Sequence, residues 1–207
     1  MDWTFIPDSQ ICFRKGLSTT DNLAALTLEI ERAFDKKDDV LCAFLDVKGA
    51  FNYVQPDILL KILADFGCSQ KLIELIKFLT YERFIYTEYN LNKARLVNRG
   101  VPQGGVFSPL LYILYTHKIE KNINSRVSLL QYADDIAVYI KTDNYAEDIN
   151  LLQNSIMTIN RNLDELVLEL SVEKTVFMHF SKNKIKPTET ALIINNNEIQ
   201  SAHSAKF

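Results

Sequence analysis

The stretch Gln131-Tyr132-Ala133-Asp134-Asp135-Ile136-Ala137-Val138-Tyr139, QYADDIAVY, sets two carboxylates side by side between apolar, strand-forming residues. VSLLQY (Val127 to Tyr132) leads in and IAVYI (Ile136 to Ile140) leads out, the pattern of a hairpin with Asp134 and Asp135 at its tip. Two unit charges ~4 Å apart repel by roughly 4 kcal/mol at an effective dielectric of ~20. Apolar flanks remove solvation and raise that cost. Solvent at a turn tip, protonation of one carboxyl or bound cations would offset it. Asp is common in turns, so the pair alone fits a plain acidic turn as well as a metal site. A second pair, Asp38-Asp39 in FDKKDDV, stands among lysines at the end of a helix-like segment and reads as a solvated charged loop.

A chain of 207 residues, 47% hydrophobic and 11% aromatic, is long and apolar enough for one domain with a sizeable core. The net charge of −3 argues against a wholly basic nucleic-acid-binding surface. Basic residues do cluster at Arg14-Lys15, at Lys93, Arg95 and Arg99, and at Lys182, Lys184 and Lys186. Cys12, Cys42 and Cys68 are odd in number and far apart, which suits a reduced, intracellular chain with free thiols. The opening MDWTFIPDSQ has neither the basic start nor the apolar core of a signal peptide, and no apolar run approaches transmembrane length. His117, His179 and His203 are isolated and show no zinc spacing.

Ser18-Thr19-Thr20-Asp21 resembles a capping box ahead of Leu23, Leu26, Ile30 and Phe34 at helical spacing. VLCAFLD (Val40 to Asp46) predicts a strand covered on both faces. Pro56 opens and Gly67 closes a helix, and Ser69 caps the next, through Leu79. Phe84 to Tyr89 and Ala94 to Asn98 predict a strand pair. Ser108 reads as an N-cap with Pro109 at the first helical position, and LLYILYTHKIEKNI as the helix. After the 127–140 hairpin come a long helix striped by Ile149, Leu152, Ile156, Ile159, Leu163 and Leu166, a strand over Lys174 to Phe180, and an Asn-turned hairpin in ALIINNNEIQ. Helices packed on one face of a mainly antiparallel sheet, an α+β sandwich, is the architecture this order favours.

Three features converge on one chemistry. Asp46 ends an otherwise apolar strand, a place where Asp also serves as a simple cap. NRGVPQGGVFSPLLY (Asn98 to Tyr112) packs Gly100, Pro102, Gly104 and Gly105 into six residues, although the chain has only 6 Gly and 5 Pro. Adjacent glycines ahead of a helix permit close backbone approach to a ligand, and Gln103 within the loop favours that over a plain turn. Two-metal phosphoryl transfer needs carboxylates from separate strands around cations ~3.5–4 Å apart. Asp46 with Asp134-Asp135 would supply them.

The chain resembles the reverse transcriptase domain of non-LTR retrotransposons, in the insect-type branch of long interspersed elements. QICFRKGLSTTDNL resembles the fingers-to-palm block, AFLDVKGAFNYV the first palm motif, and RGVPQGGVFSPLL the template and nucleotide loop. YADD resembles the catalytic hairpin, LELSVEKTVFMHF the lysine-bearing motif, and the terminal AKF the start of the primer grip. The order and spacing of these blocks match across nearly the whole chain. The resemblance implies an RNA-directed DNA polymerase palm using two Mg²⁺, for which Mn²⁺ can substitute, with RNA template, DNA primer and deoxynucleoside triphosphates as partners and no membrane. It implies that Asp46 and Asp134 bind both metals, that Asp135 supports them, and that the Val47 carbonyl completes a metal shell. It places Phe51 under the incoming sugar, where a bulky ring rejects a 2′-hydroxyl, although a core phenylalanine would read the same. Gln103, Gly104, Arg14 and Lys15 would line the template and nucleotide pocket. Lys174 would approach the triphosphate as a general acid, and Tyr132 the primer end.

The family pattern is broken at Cys12 (usually Gly), Asn52 (Asp), Phe107 (Leu) and Ser171 (Asn), none of them a metal ligand. The resemblance implies partial fingers over 1–39, palm over 40–180 and the start of the primer-grip region over 181–207, with thumb and endonuclease outside this truncated stretch. Two other readings stay in view. One is a catalytically inactive remnant with intact palm motifs. The other is an RNA-dependent RNA polymerase, against which Phe51 and Ala133 speak.

Overall fold

The computed structural model describes residues 7, 9–10, 12, 16, 18–81, 83–87, 90–182 and 191–202, with backbone alone at 19, 86–87 and 90–93. Arg14, Lys15, Lys184, Lys186, His203 and the terminal AKF lie outside the described residues.

Helix α1 (Thr19–Asp35) starts where the sequence predicts, and Asp21 accepts hydrogen bonds from the backbone and hydroxyl of Ser18, both at 2.7 Å. Strand β1 (Asp39–Val47) follows, then a single turn α2 (Ala50–Tyr53). Helix α3 (Pro56–Asp65) opens on proline and closes through Gly67, whose φ is 72°. Helix α4 (Gln70–Thr80) is capped by Ser69, whose side chain accepts from the Leu72 backbone. A hairpin of β2 (Arg83–Thr87) and β3 (Asn90–Val97) forms a small sheet of its own. Helix α5 (Ser108–Tyr115) leads to β4 (Ser128–Tyr132) and β5 (Asp135–Thr142). The long α6 (Tyr145–Glu165), β6 (Leu170–Phe180) and the hairpin of β7 (Ala191–Ile194) and β8 (Asn197–Gln200) complete the described chain. Asn195 and Asn196 turn that last hairpin at positive φ, as a two-residue turn between twisted strands requires.

The central sheet runs β4-β5-β1-β6, and every pair in it is antiparallel. Strand β1 is buried on both faces, as its unbroken apolar run predicts. Leu41, Ala43, Leu45 and Val47 join the main core, where α3, α5 and α6 pack. Val40, Cys42 and Phe44 meet Leu26 and Ala33 of α1 on the other face. The expected helical layer is therefore present, and α1 adds a helix on the second face.

Several expectations need correcting. The N-cap of α5 is Phe107, and Ser108 is already helical, because its hydroxyl donates to the Pro102 carbonyl and not to capping work. The same helix ends at Tyr115 instead of running to Ile123. The turns beyond it are held by Asn162 of α6, which donates to the carbonyls of Ile119 and Lys121 at 2.8 and 2.9 Å. Asp39 is not a solvated loop residue: it opens β1 and pairs with the buried His179 ring at 2.8 Å, so that histidine is not isolated either. Strand β6 is also longer than predicted, since it begins at Leu170. The three cysteines are free, as expected.

Candidate active site

Strand pairing brings the carboxylates together. Asp46 lies opposite Asp135 in the β1–β5 register, and Tyr132 pairs with Asp135 across the hairpin. Asp46 continues the alternation of Val40, Cys42 and Phe44, and Asp135 that of Ala137 and Tyr139, so both sit on the face that α1 covers further along. Asp134 occupies the hairpin tip, next to Ala133, which is held at φ 55°. All three carboxylates are half-buried. Burial first, then the charges of Asp134 and Asp46, hold the Asp135 carboxyl above its ordinary range, and Lys174 partly offsets them. The repulsion anticipated for the QYADDIAVY tip is therefore present, and it is shared with Asp46.

The two oxygens of Asp46 stand in different surroundings. Its Oδ1 accepts from the Lys174 ammonium at 3.1 Å. Its Oδ2 is buried and has no hydrogen-bond partner among the described residues. An orphaned carboxylate oxygen beside two further carboxylates is a donor set that suits a hard divalent cation. Among the described residues, however, no three His, Cys, Asp or Glu side chains are gathered closely enough to hold an ion as they stand.

Helix α5 supports this edge from below. Being buried all round, it meets both the hairpin tip and the α2 turn. Ile113 packs with Ala133 and Cys12 under the tip. Burial raises the Cys12 thiol to about 12 despite a hydrogen bond from Ala133, so it stays protonated. Tyr112, fully buried, stacks under Phe51 with ring centroids 4.7 Å apart and planes 24° apart. Burial, then the charges of Asp134, Cys12 and Asp46, pushes the Tyr112 hydroxyl well above its ordinary value, and it has no hydrogen-bond partner among the described residues. Phe51 is half-buried, so its ring both rests on the core and faces out.

The glycine-rich loop is anchored at its start. Gly100, at φ 81°, lets the chain run against α2: its amide donates to the Val54 carbonyl at 2.6 Å, and Val101 to that of Phe51 at 2.9 Å. Arg83 of β2 donates to the carbonyls of Arg99 and Gly100 at 2.8 and 2.7 Å. Arg99 itself lies over the Tyr53 ring, 4.2 Å from its centroid. Beyond the anchor, Gln103 and Gly104 are exposed, with Gln103 reaching Asn52 Oδ1 at 3.5 Å. The loop thus presents Gln103 beside the residue that follows Phe51.

The chain matches, over residues 1–207, the family described as Reverse transcriptase (RNA-dependent DNA polymerase). It belongs to the reverse transcriptase family. Its relatives include a probable RNA-directed DNA polymerase from transposon BS of Drosophila melanogaster, 28% identical over 98% of this chain and 23% of that protein. The RNA-directed DNA polymerase from mobile element jockey of Drosophila funebris is 32% identical over 72% of the chain and 17% of its own length. The chain thus spans under a quarter of these curated relatives. Among solved structures, apo telomerase from Candida tropicalis aligns over 93% of the chain and 36% of its own, with a TM-score of 0.60 at 15% identity, a likeness of fold. The expected resemblance to reverse transcriptases of non-LTR mobile elements and the expected palm-like α+β fold both hold.

Within this reverse transcriptase chain, Asp46, Asp134, Asp135, Lys174, Phe51 and Tyr132 lie at one end of the central sheet, with Gln103 and Gly104 on the adjoining loop. Val47 is buried at the end of β1. Three contributors escaped the sequence reading. Tyr112 looked like one more apolar residue of a buried helix. Arg83 opens a strand and gave no sign of reaching a loop 16 residues away. Gln131, 3% exposed, donates to the Ala133 carbonyl at 2.8 Å and the Thr116 hydroxyl at 3.2 Å, bracing the tip. A polar side chain alternating inward along a strand was the available signal for the last.

Proposed function

We propose that this chain is the palm of an RNA-directed DNA polymerase that adds deoxynucleotides to a DNA primer on an RNA template. The observation that carries the reading is Asp46 in register with Asp135 on one sheet face, with Asp134 at the adjoining tip, in a chain of the reverse transcriptase family. In this reading residues 1–39 are partial fingers, 40–180 the palm, and 181–207 lead to the primer grip.

Asp46 and Asp134 supply carboxylate oxygens to two Mg²⁺, or Mn²⁺, with the Val47 carbonyl completing a shell and Asp135 in support. Such ions, when bound, activate the attacking primer hydroxyl and neutralise charge on the triphosphate. The protein's own share is positioning. Phe51 faces the sugar, and because Tyr112 fills the space beneath it the ring cannot retreat to admit a 2′-hydroxyl. Gln103 and Gly104 line the nucleotide and template pocket. Tyr132 adjoins the primer end. Lys174 offers a proton to the leaving pyrophosphate.

Titrating Mn²⁺ into the 207-residue chain and following paramagnetic broadening tests the reading. Broadening should centre on residues 46–47 and 132–135 and be lost in Asp46→Ala/Asp134→Ala. Equal broadening in both proteins would sink it.

A further inference from the structure

Strand β6 leaves the regular ladder at one place. From Val40 with Phe180 to Phe44 with Val176 the pairing is regular, and continuing it would set Lys174 directly opposite Asp46. Instead Asp46 pairs with Ser171, so Leu45 alone faces residues 172–175. Thr175, buried, closes this bulge by donating its hydroxyl to the Ser171 carbonyl at 2.8 Å. Glu173 and Lys174 are carried out into solvent. Bulges beside active sites commonly re-aim a side chain. Here the bulge takes the Lys174 backbone off the ladder and leaves only its flexible side chain to reach Asp46.

The resulting contact is one-sided. Lys174 remains 70% exposed while Asp46 is 20% exposed, and among the described residues Asp46 Oδ1 is the polar contact of the ammonium. The other oxygen of the same carboxylate is buried and unpartnered. An exposed ion pair of this kind contributes little to stability and is readily broken. A divalent cation with oxygen ligands attracts the same carboxylate more strongly and needs the charge that Lys174 is neutralising.

We propose that Lys174 is an exchangeable counter-ion of Asp46, competing with divalent cations for that carboxylate and released when one binds. The ammonium is then more available to nucleotide phosphates when a cation holds Asp46, which couples metal loading to phosphate capture. This rests on Asp46 being a metal ligand.

The test is Mn²⁺ affinity of the full 207-residue chain, read from the signal of free Mn²⁺ by electron paramagnetic resonance. Lys174 is exposed and off the ladder, so its substitution leaves the fold intact. Lys174→Met should bind Mn²⁺ about three- to fivefold more tightly than wild type, the range expected for release of an exposed pair. Lys174→Arg, which keeps the charge, should stay close to wild type. Lys118→Met makes the same change in net charge at an exposed lysine without contact to Asp46, and should also stay close. Unchanged or weaker binding in Lys174→Met, or an equal gain in Lys118→Met, would overturn the proposal. If Asp46→Ala/Asp134→Ala binds as wild type does, the metal reading itself fails, and that result is separate from a failure confined to Lys174.

Discussion

At Phe51 the question is what a ring can exclude, and the stack on Tyr112 supplies the physical answer. In a polymerase carrying this palm with fingers and thumb, Phe51→Ala should raise ribonucleotide incorporation by opening space for a 2′-hydroxyl. Deoxynucleotide incorporation should change only modestly. Steady-state kcat/KM for the two nucleotides measures it, and an unchanged ratio would make Phe51 a core residue. Gly100 offers a test of the loop anchor. A Cβ there would meet Asn52 O at 2.8 Å and Phe51 O at 2.9 Å, whereas one at Gly104 meets nothing within 4 Å. Both residues have positive φ, so both alanine variants carry left-handed strain of roughly 1–2 kcal/mol. Gly100→Ala adds a backbone collision and should lower the urea midpoint distinctly more than Gly104→Ala; equal losses would argue that the loop can move off α2. The density of Gly and Pro marked this loop in the sequence, but which glycine meets α2 depends on a partner some fifty residues away.

Elements whose ends are written in local chemistry were legible: the capping box of α1, Pro56 and Gly67 around α3, the Ser69 cap of α4 and the Asn turn of β7–β8. Features made by distant partners were not. The end of α5 depends on Asn162, and the β6 bulge on its pairing with β1. Glu29 is another such tie: its carboxylate pairs with Lys141 of β5 and Arg32, fixing α1 to the sheet. The bond to Lys141, aided by Arg32, holds that carboxyl below its ordinary range. The folded chain therefore binds this proton less tightly than the unfolded one. The stabilisation is complete above the ordinary carboxyl value and is lost as pH falls through the lowered one. Glu29→Gln should cost up to about 1 kcal/mol near neutral pH and flatten the acid limb of stability. Urea unfolding at neutral and acid pH measures both, and an acid limb as steep as wild type would assign the pH dependence elsewhere.

The whole molecule has a net charge of −3, and duplex affinity depends steeply on how many phosphates a protein neutralises. Phosphoryl transfer is also mostly a matter of positioning. The 207 residues taken alone are therefore predicted not to extend a primer at a useful rate on poly(rA)/oligo(dT), with Mg²⁺ or Mn²⁺. Robust extension, abolished by Asp134→Ala, would show that the segment positions its substrates unaided. The family was legible because its motifs occur in order with their spacing. The packing of Tyr112 under Phe51 and of Lys174 against Asp46 was not, because each contact joins elements remote in sequence. In the proposed function these carboxylates serve RNA-templated DNA synthesis. That role is tested most directly by primer extension with a jockey-type polymerase in which residues 40–180 of this chain replace the corresponding segment. Mg²⁺-dependent extension of oligo(dT) on poly(rA) is expected, falling about a thousandfold or more in Asp134→Ala, a loss of roughly 4 kcal/mol in transition-state stabilisation. Extension that is equally fast with alanine at 134 would contradict it.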